Sequence, residues 1–437
     1  MSGARLLMPG LRLPGDLDRF DDFVRLAARG VAGFCLFGGD RALPALLERL
    51  LSAAPHPLLI AADLEQGAGQ QVEGTTRHPP AAALDPEAAE LAGIRTACEA
   101  RLLGITMTFA PVCDVASEPR NPIIAARAFR DPATAAPRFV NGARLMGLRT
   151  CAKLFPGHGA TLRDSHDALP LVETGVETWR VRDRPPFAAC IAAGVDAVMT
   201  AHLAWPALTG SQDRACTFSR RVVTELLRGE LGFDGLVVTD ALLMEGARGG
   251  RGEVEAAEMA LEAGCDLLLF PEDVEGVLAF LERVDPGPRL ERLARAAEPL
   301  PDPLAAAAAA SVSGAGDLPP APGPHPLRIC DLLGGGEELA RAAGLAFERY
   351  GPQGQLLERG SGPGLECPAL AVLRRDRAWA GPLVVPEAVR ALADPGGLVI
   401  LLGPRVLLEG LAHSAFVHAP GQDPLTLAAV CRKAFGR

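Results

Sequence analysis

Residues Thr150–Pro170, TCAKLFPGHGATLRDSHDALP, pass from a short apolar run, Thr150–Phe155, straight into a Gly- and Pro-rich loop. The segment from Lys153 to Pro170 carries one Lys, two His (His158 and His166) and two Asp (Asp164 and Asp167). An apolar strand that ends in a polar loop is the unit with which parallel α/β barrels build their functional rim. Outward from this stretch the unit recurs. Further apolar runs are Leu6–Met8, Gly33–Phe37, LLIAAD ending at Asp63, Thr106–Pro111, DAVMTAH ending at His202, GLVVTD ending at Asp240 and CDLLLF ending at Phe270. Between them Pro86–Leu103, Pro137–Leu148, Ser219–Leu231 and Glu253–Ala263 have helix character, and Gly104, Gly194, Gly232 and Gly264 stand where left-handed caps end helices. Eight strands alternating with helices over roughly 250 to 300 residues predict an α/β fold of the (β/α)8 TIM type. An open doubly wound sheet is the rival, but no G-x-G-x-x-G follows the first strand to cradle a phosphate. Asp63, Asp114, Lys153, His202 and Asp240 all fall at or near strand C-terminal ends, the rim where barrel enzymes carry out chemistry.

The chain has 437 residues, 49% hydrophobic and 22% charged, which is the composition of a packed globular protein long enough for two domains. Aromatics are only 5%, so the core has to come from Leu, Val, Ile and Ala, and a base-stacking nucleic-acid surface is not expected. The net charge of −10 likewise disfavours nucleic-acid backbones and anionic membrane surfaces. No apolar run reaches the ~18 residues of a membrane span. The N-terminal MSGARLLMPG lacks the apolar core of a secretory signal, so the cytoplasm is the expected location. Ten cysteines without a Cys-x-x-Cys pair read as reduced core thiols, with no structural zinc expected. The barrel is expected over 1–303. An Ala-, Gly- and Pro-rich linker follows over 304–326, and then a small α/β domain over 327–437, with strands in LRICDLL, LAVLRRD, GLVILLGP and AFVHAPG and helices over Glu337–Arg349 and Leu425–Ala434.

In the polar loop Asp164 and His166 are two apart, so in an extended segment their side chains share one side. A carboxylate there orients the imidazole and lifts it from its usual pKa of about 6.5 toward neutrality, which suits a general acid and base. The alternative is a surface turn capped by Asp. Asp240 ends a strand and is placed to attack an anomeric carbon or to bind a cation, unless it only caps a helix. Asp63, Glu65, Arg127 and His202 are consistent with recognition of a polyhydroxylated ligand.

Together FAPVCDVASEPRNPIIAARAF, KLFPGHGATLRDSHDALP, MTAHLAWPAL and ELGFDGLVVTDALLMEGA resemble glycoside hydrolase family 3, in particular its β-N-acetylglucosaminidase branch, over most of residues 1–300. The resemblance implies a retaining, exo-acting β-glycosidase that needs no cofactor or metal and acts on an N-acetylglucosaminide or related β-glycoside. It makes Asp240 the nucleophile, His166 the acid/base and Asp164 its carboxylate partner, and it sets Asp63, Arg127, Lys153, His158 and His202 around the sugar. The C-terminal region resembles a shortened α/β sandwich domain of two-domain members. The chain departs from the usual Lys-His-Phe-Pro-Gly-His-Gly-Asp at Leu154 and Ala160, and DLEQGAGQQV replaces Asp-Gln-Glu-Gly-Gly-Arg-Val. Rival readings are a sugar-binding pseudoenzyme, a β-glucosidase or β-xylosidase of the same family, a lyase with Lys153 as Schiff base, and a metal-dependent hydrolase built on His158, His166, His202 and Asp240.

Overall fold

The computed structural model describes residues 3–40, 42–165 and 168–298, together with the backbone of six strands between 327 and 419. The chain divides into two compact units, Met1–Leu300 and Pro301–Arg437.

The first unit is an α/β fold around a curled parallel sheet. In chain order the strands are β1 (Leu7–Met8), β2 (Gly10–Arg12), β3 (Gly33–Phe37), β4 (Leu59–Ala62), β5 (Met107–Thr108), β6 (Arg149–Phe155), β7 (Ala197–Thr200), β8 (Leu236–Val238) and β9 (Leu268–Leu269). Strands β2 to β8 pair in sequence order, all parallel. Beyond β8 a parallel bridge joins Val238 to Leu267, and β9 pairs in parallel with β1, Leu7 opposite Leu268. Pro9, which has no amide hydrogen to give to a ladder, separates β1 from β2. Each expected apolar run therefore holds a strand, and nearly every strand residue is buried on both faces, as a parallel sheet covered by helices requires.

The helices follow their local signals. Asp85 caps Pro86–Leu102 by accepting the Ala88 amide (2.8 Å), with Pro86 in the first turn where its missing donor costs nothing. The expected helix at Pro137 begins earlier, at Pro132, where the Asp131 backbone carbonyl accepts the Ala135 amide (3.0 Å) and Pro132 takes the first-turn role; Pro137 lies inside. Residues Arg221–Glu230 form a π-helix rather than an α-helix. Glu253–Ala263 is helical as expected and stops at Gly264, whose φ is +112°. The helices Pro86–Leu102 and Pro132–Leu145 meet at two glycines. A Cβ on Gly142 would lie 2.1 Å from the Glu90 carbonyl oxygen, and one on Gly93 would lie 2.3 Å from that of Phe139.

Two carboxylates, one part-buried and one fully buried, tie the N-terminal ends of the strands. Asp196 accepts the Thr150 amide (3.0 Å) and the Arg144 guanidinium (2.5 Å). Asp266, with no exposure, accepts the Val237 amide (2.8 Å), Arg228 (2.5 Å) and Arg292 (3.0 Å). The seven described cysteines are free thiols, all but Cys98 buried. No helix among the described residues is long and apolar enough to cross a membrane.

In the second unit six backbone strands form one sheet: β10 (Leu327–Asp331), β11 (Phe347–Tyr350), β12 (Leu356–Gly360), β13 (Ala369–Leu373), β14 (Leu398–Leu402) and β15 (Ala415–Ala419), in the order β12-β11-β10-β13-β14-β15. The pairs are parallel except β11 with β12. The helix expected over Glu337–Arg349 is corrected at its end, where Phe347–Tyr350 is a strand. The linker over 304–326 and the helix over Leu425–Ala434 lie outside the described residues.

Candidate active site

The C-terminal ends of the strands surround a cavity of about 310 Å³. Its lining includes Arg12 at the end of β2, Phe37 of β3, Asp63 after β4, Phe109 after β5, Lys153 and Leu154 of β6, Met199 of β7, Asp240 after β8 and Phe270 after β9. Arg127, Ser165 and Met244 reach it from loops. Four of the eight candidate site residues, Asp63, Arg127, Lys153 and Asp240, therefore share one cavity.

Three of these four belong to a charge network centred on Glu65. Lys153 Nζ donates to Asp63 Oδ1 (2.5 Å) and contacts Glu65 Oε1 (2.7 Å). Arg127 clasps Glu65 with two parallel bonds, Nε to Oε2 (2.9 Å) and Nη2 to Oε1 (2.8 Å), the planar fork geometry that fixes both partners. Burial alone would push the Glu65 carboxyl up, but the Lys153 charge and the Arg127 bonds overcome it and hold it down at about 2. Burial would likewise push the Lys153 ammonium down, yet Asp63 and Glu65 raise it above the ordinary lysine value. A Schiff-base lysine has to be neutral to attack a carbonyl, so this environment opposes the lyase reading. Among the described residues no donor reaches Asp63 Oδ2, which is left to accept from a ligand.

Asp240 is half-buried, its amide donating to the Thr200 carbonyl (3.2 Å) and its Oδ1 accepting the Ala241 amide (2.8 Å). Those bonds hold the carboxylate at the rim without a cation paired to it among the described residues.

The histidines divide differently. His158 and His202 are buried and do not line the cavity. Burial pushes His158 down to about 4, so it is neutral at physiological pH. The Thr161 hydroxyl donates to the His158 carbonyl (3.0 Å), so its oxygen accepts from Nδ1–H (2.7 Å), and Nε2 then accepts from the Ser165 hydroxyl (3.3 Å). With both ring nitrogens engaged, His158 orients the cavity-lining Ser165, an arrangement at odds with a metal ligand. His202 is held in the same way: the Thr217 hydroxyl donates to the Ala201 carbonyl (3.0 Å) and accepts from Nδ1 (3.0 Å). Asp164 is half-buried in the loop, and its carbonyl accepts the Ala168 amide (3.2 Å). His166 lies outside the described residues.

Asp114 anchors this loop. Its buried carboxyl accepts the amides of Leu154 (3.1 Å) and His158, and burial, opposed by those two bonds, pushes it up to about 7. Leu154 presents an apolar side chain to the cavity beside Lys153.

Arg12 and Phe270 complete the wall and were not among the candidate residues. Phe270 has a φ of +50°, a left-handed conformation that costs a bulky residue about 1–3 kcal/mol. The Arg12 guanidinium lies 4.4 Å from the centre of its ring, and the Phe37 ring lies 5.1 Å away. The signal for Arg12 was its place after the first apolar run, at the same rim as the others.

Residues 43–296 match the profile described as the glycosyl hydrolase family 3 N terminal domain. A beta-hexosaminidase of Chromobacterium violaceum is 38% identical over 276 residues, 59% of this chain and 75% of that protein. One from Pseudomonas aeruginosa is 38% identical over 281 residues, 60% of this chain and 83% of its own. Among solved structures, a glycoside hydrolase family 3 beta-N-acetylglucosaminidase from Paenibacillus sp. has a TM-score of 0.63 at 26% identity, covering 99% of this chain and 96% of that one. NagZ from Neisseria gonorrhoeae, in complex with N-trifluoroacetyl-D-glucosamine, has a TM-score of 0.59 at 26% identity, covering 69% and 93%. With the profile spanning more than half of its length and these relatives matched over three quarters or more of theirs, the chain belongs to glycosyl hydrolase family 3.

Proposed function

We propose that this protein is a retaining, exo-acting β-N-acetylglucosaminidase. The observation that carries this reading is the one cavity shared by Asp240, which has no ion pair among the described residues, and by Asp63, Lys153 and Arg127 of the Glu65 network. Its scaffold is a (β/α)8 barrel followed by an α/β domain, a reading supported by the run of parallel pairings from β2 round to β9 and β1 and by the six-stranded sheet beyond residue 327. Seven free described thiols support a reducing, cytoplasmic setting.

In the proposed reaction the sugar hydroxyls bind to Asp63, Lys153 and Arg127. Asp240 attacks the anomeric carbon while His166, partnered by Asp164, gives its proton to the leaving glycosidic oxygen. The carbon–oxygen bond breaks as the glycosyl–aspartate bond forms. Neutral His166 then takes a proton from water as that water attacks the anomeric carbon, and Asp240 leaves with the original configuration restored.

The test is turnover of an aryl N-acetyl-β-glucosaminide beside the matching β-glucoside and β-xyloside. Asp240→Asn is expected to lower kcat by at least about 1,000-fold, since a neutral amide cannot form the covalent intermediate. Equal rates for the wild type and Asp240→Asn would end the enzyme reading. A preference for the glucoside or the xyloside would move the protein to another branch of the family.

A further inference from the structure

Ser165 stands in the chain between Asp164 and His166, is buried and lines the cavity, yet the proposed reaction gives it nothing to do. Two fixed parts of the fold hold it, one by its side chain and the other by its backbone.

The side chain is held by His158. The Asp114 carboxyl accepts the His158 amide, and the His158 carbonyl accepts Asn121 Nδ2 (2.8 Å). The ring is oriented through Nδ1 on the Thr161 hydroxyl (2.7 Å), which leaves Nε2 to accept the Ser165 hydroxyl (3.3 Å). Gly159 follows where a Cβ would lie 1.7 Å from the Val115 carbonyl oxygen, so the turn that carries the imidazole is packed against the chain beyond β5.

The backbone is held from the Asp240 side. The Ser165 carbonyl accepts the amide of Gly246 (2.9 Å), in the short helix Glu245–Arg248. A Cβ on Gly246 would lie 2.7 Å from that carbonyl oxygen and 3.3 Å from that of Ala168, so a residue without a side chain is what lets the two segments meet. The turn that leads from Asp240 to this helix is itself fixed, with the Leu242 amide donating to the Leu269 carbonyl (2.9 Å) and the Met244 amide to that of Ala241 (3.2 Å). Ser165 is thus joined both to the imidazole beyond β6 and to the turn that begins at Asp240.

We propose that Ser165 is a positioning residue: held between the His158 imidazole and the Gly246 amide, it sets the segment that carries Asp164 and His166 against the turn that carries Asp240. This rests on the glycosidase reading above and adds the residues that register its acid/base against its nucleophile. The Ser165 hydroxyl gives its proton to the hydrogen bond with His158, and it takes no part in bond making.

The experiment reads the dependence on the leaving group. Dinitrophenolate departs without a proton, whereas phenolate needs one from the acid. The ratio of kcat/KM for the phenyl over the 2,4-dinitrophenyl N-acetyl-β-glucosaminide therefore measures how well the acid is placed. Because the ratio is taken within one protein, a loss of folded material cancels. Ser165→Ala removes one oxygen, and Gly246→Ala pushes on the same segment from the other side. Each is expected to lower the ratio about tenfold or more, since a misplacement of about 1 Å can cost ~100-fold. Adding His158→Leu to Ser165→Ala should lower it no further, because the serine acts through that imidazole. In the second step azide attacks the anomeric carbon of the glycosyl–aspartate without a base, forming the glycosyl azide and freeing the Asp240 carboxylate. Azide should therefore speed turnover of the dinitrophenyl glycoside by Ser165→Ala more than by wild type.

A ratio unchanged by Ser165→Ala overturns the proposal, whether both glycosides keep their rates or both fall together through KM, which would place the hydroxyl on the sugar. His166→Ala separates this from the reading beneath it. A ratio that collapses in His166→Ala and holds in Ser165→Ala sinks the positioning role alone. A ratio that holds in His166→Ala removes the acid/base assignment and the positioning role with it, and no turnover of either glycoside by the wild type ends the glycosidase as well.

Discussion

Replacing Glu65 by Gln keeps the shape of the side chain and removes one buried negative charge from between two cations. In the native protein burial pushes this carboxyl up, yet Lys153 and the Arg127 fork bring it down from an ordinary 4.5 to about 2. At about 1.36 kcal/mol per pH unit, that corresponds to roughly 3 kcal/mol of favourable interaction with the ionised form. Because the folded-state value is depressed, this stability is present in full above about pH 4.5 and is lost as pH falls toward about 2. Urea unfolding followed through the buried Trp179 and Trp205 should therefore show Glu65→Gln less stable than wild type by about 3 kcal/mol at pH 7, within the range for breaking a buried pair. The gap should narrow to roughly 1 kcal/mol at pH 3, where the same carboxyl in the unfolded chain is already protonated while the folded protein holds it ionised. A gap under about 0.5 kcal/mol at pH 7, or one that does not change between pH 7 and pH 3, would refute the assignment of Glu65 as the charged centre of the network.

Asp114 titrates in the opposite sense. Its carboxyl is raised to about 7, so its contribution is complete below about pH 4 and disappears as pH rises through 7. Asp114→Asn should consequently gain on the wild type by up to about 4 kcal/mol between pH 4 and pH 8, and parallel stability curves would show that the carboxyl is not desolvated. Gly142→Ala places a methyl 2.1 Å from the Glu90 carbonyl oxygen and forces the two helices apart. A loss of about 1–3 kcal/mol in urea unfolding is expected despite the better helix propensity of Ala, and a stabilised variant would contradict the close approach.

The positions of the strands were legible because a strand buried on both faces must be an uninterrupted apolar run, and the residue that ends it at the rim need not be apolar. Thr150–Phe155, GLVVTD and LLIAAD carry that pattern without ambiguity, and Lys153, Asp240 and Asp63 follow from it. Arg12 escaped because Pro9 closes the first apolar run at Met8, whereas the chain resumes as a strand one residue later. Phe270 escaped for a different reason: its sequence identity is that of a core residue, and its left-handed backbone has no sequence signature. His158 and His202 were legible as polar groups near strand ends but not as buried ones. What buries them is hydroxyl partners at positions 161, 165 and 217, reached only once the loops have folded back.

The network around Glu65 also bears on Asp240, which it never touches. Lys153 and Arg127 bring two positive charges to the cavity, and Asp63 and Glu65 bring two negative ones, so the cluster is neutral within itself. Without Glu65, two cations would share one carboxylate in a small cavity, and Asp240 is the other carboxylate that lines it among the described residues. A carboxylate locked in such a pair is a poorer nucleophile, because the lone pair that must reach the anomeric carbon is already committed to a cation. Glu65 therefore does two things with one charge. It fixes the donors that would hold the sugar, and it keeps those donors from the group that would attack it. For the same reason Glu65→Gln should lower kcat as well as raise KM, whereas loss of sugar binding alone would appear in KM.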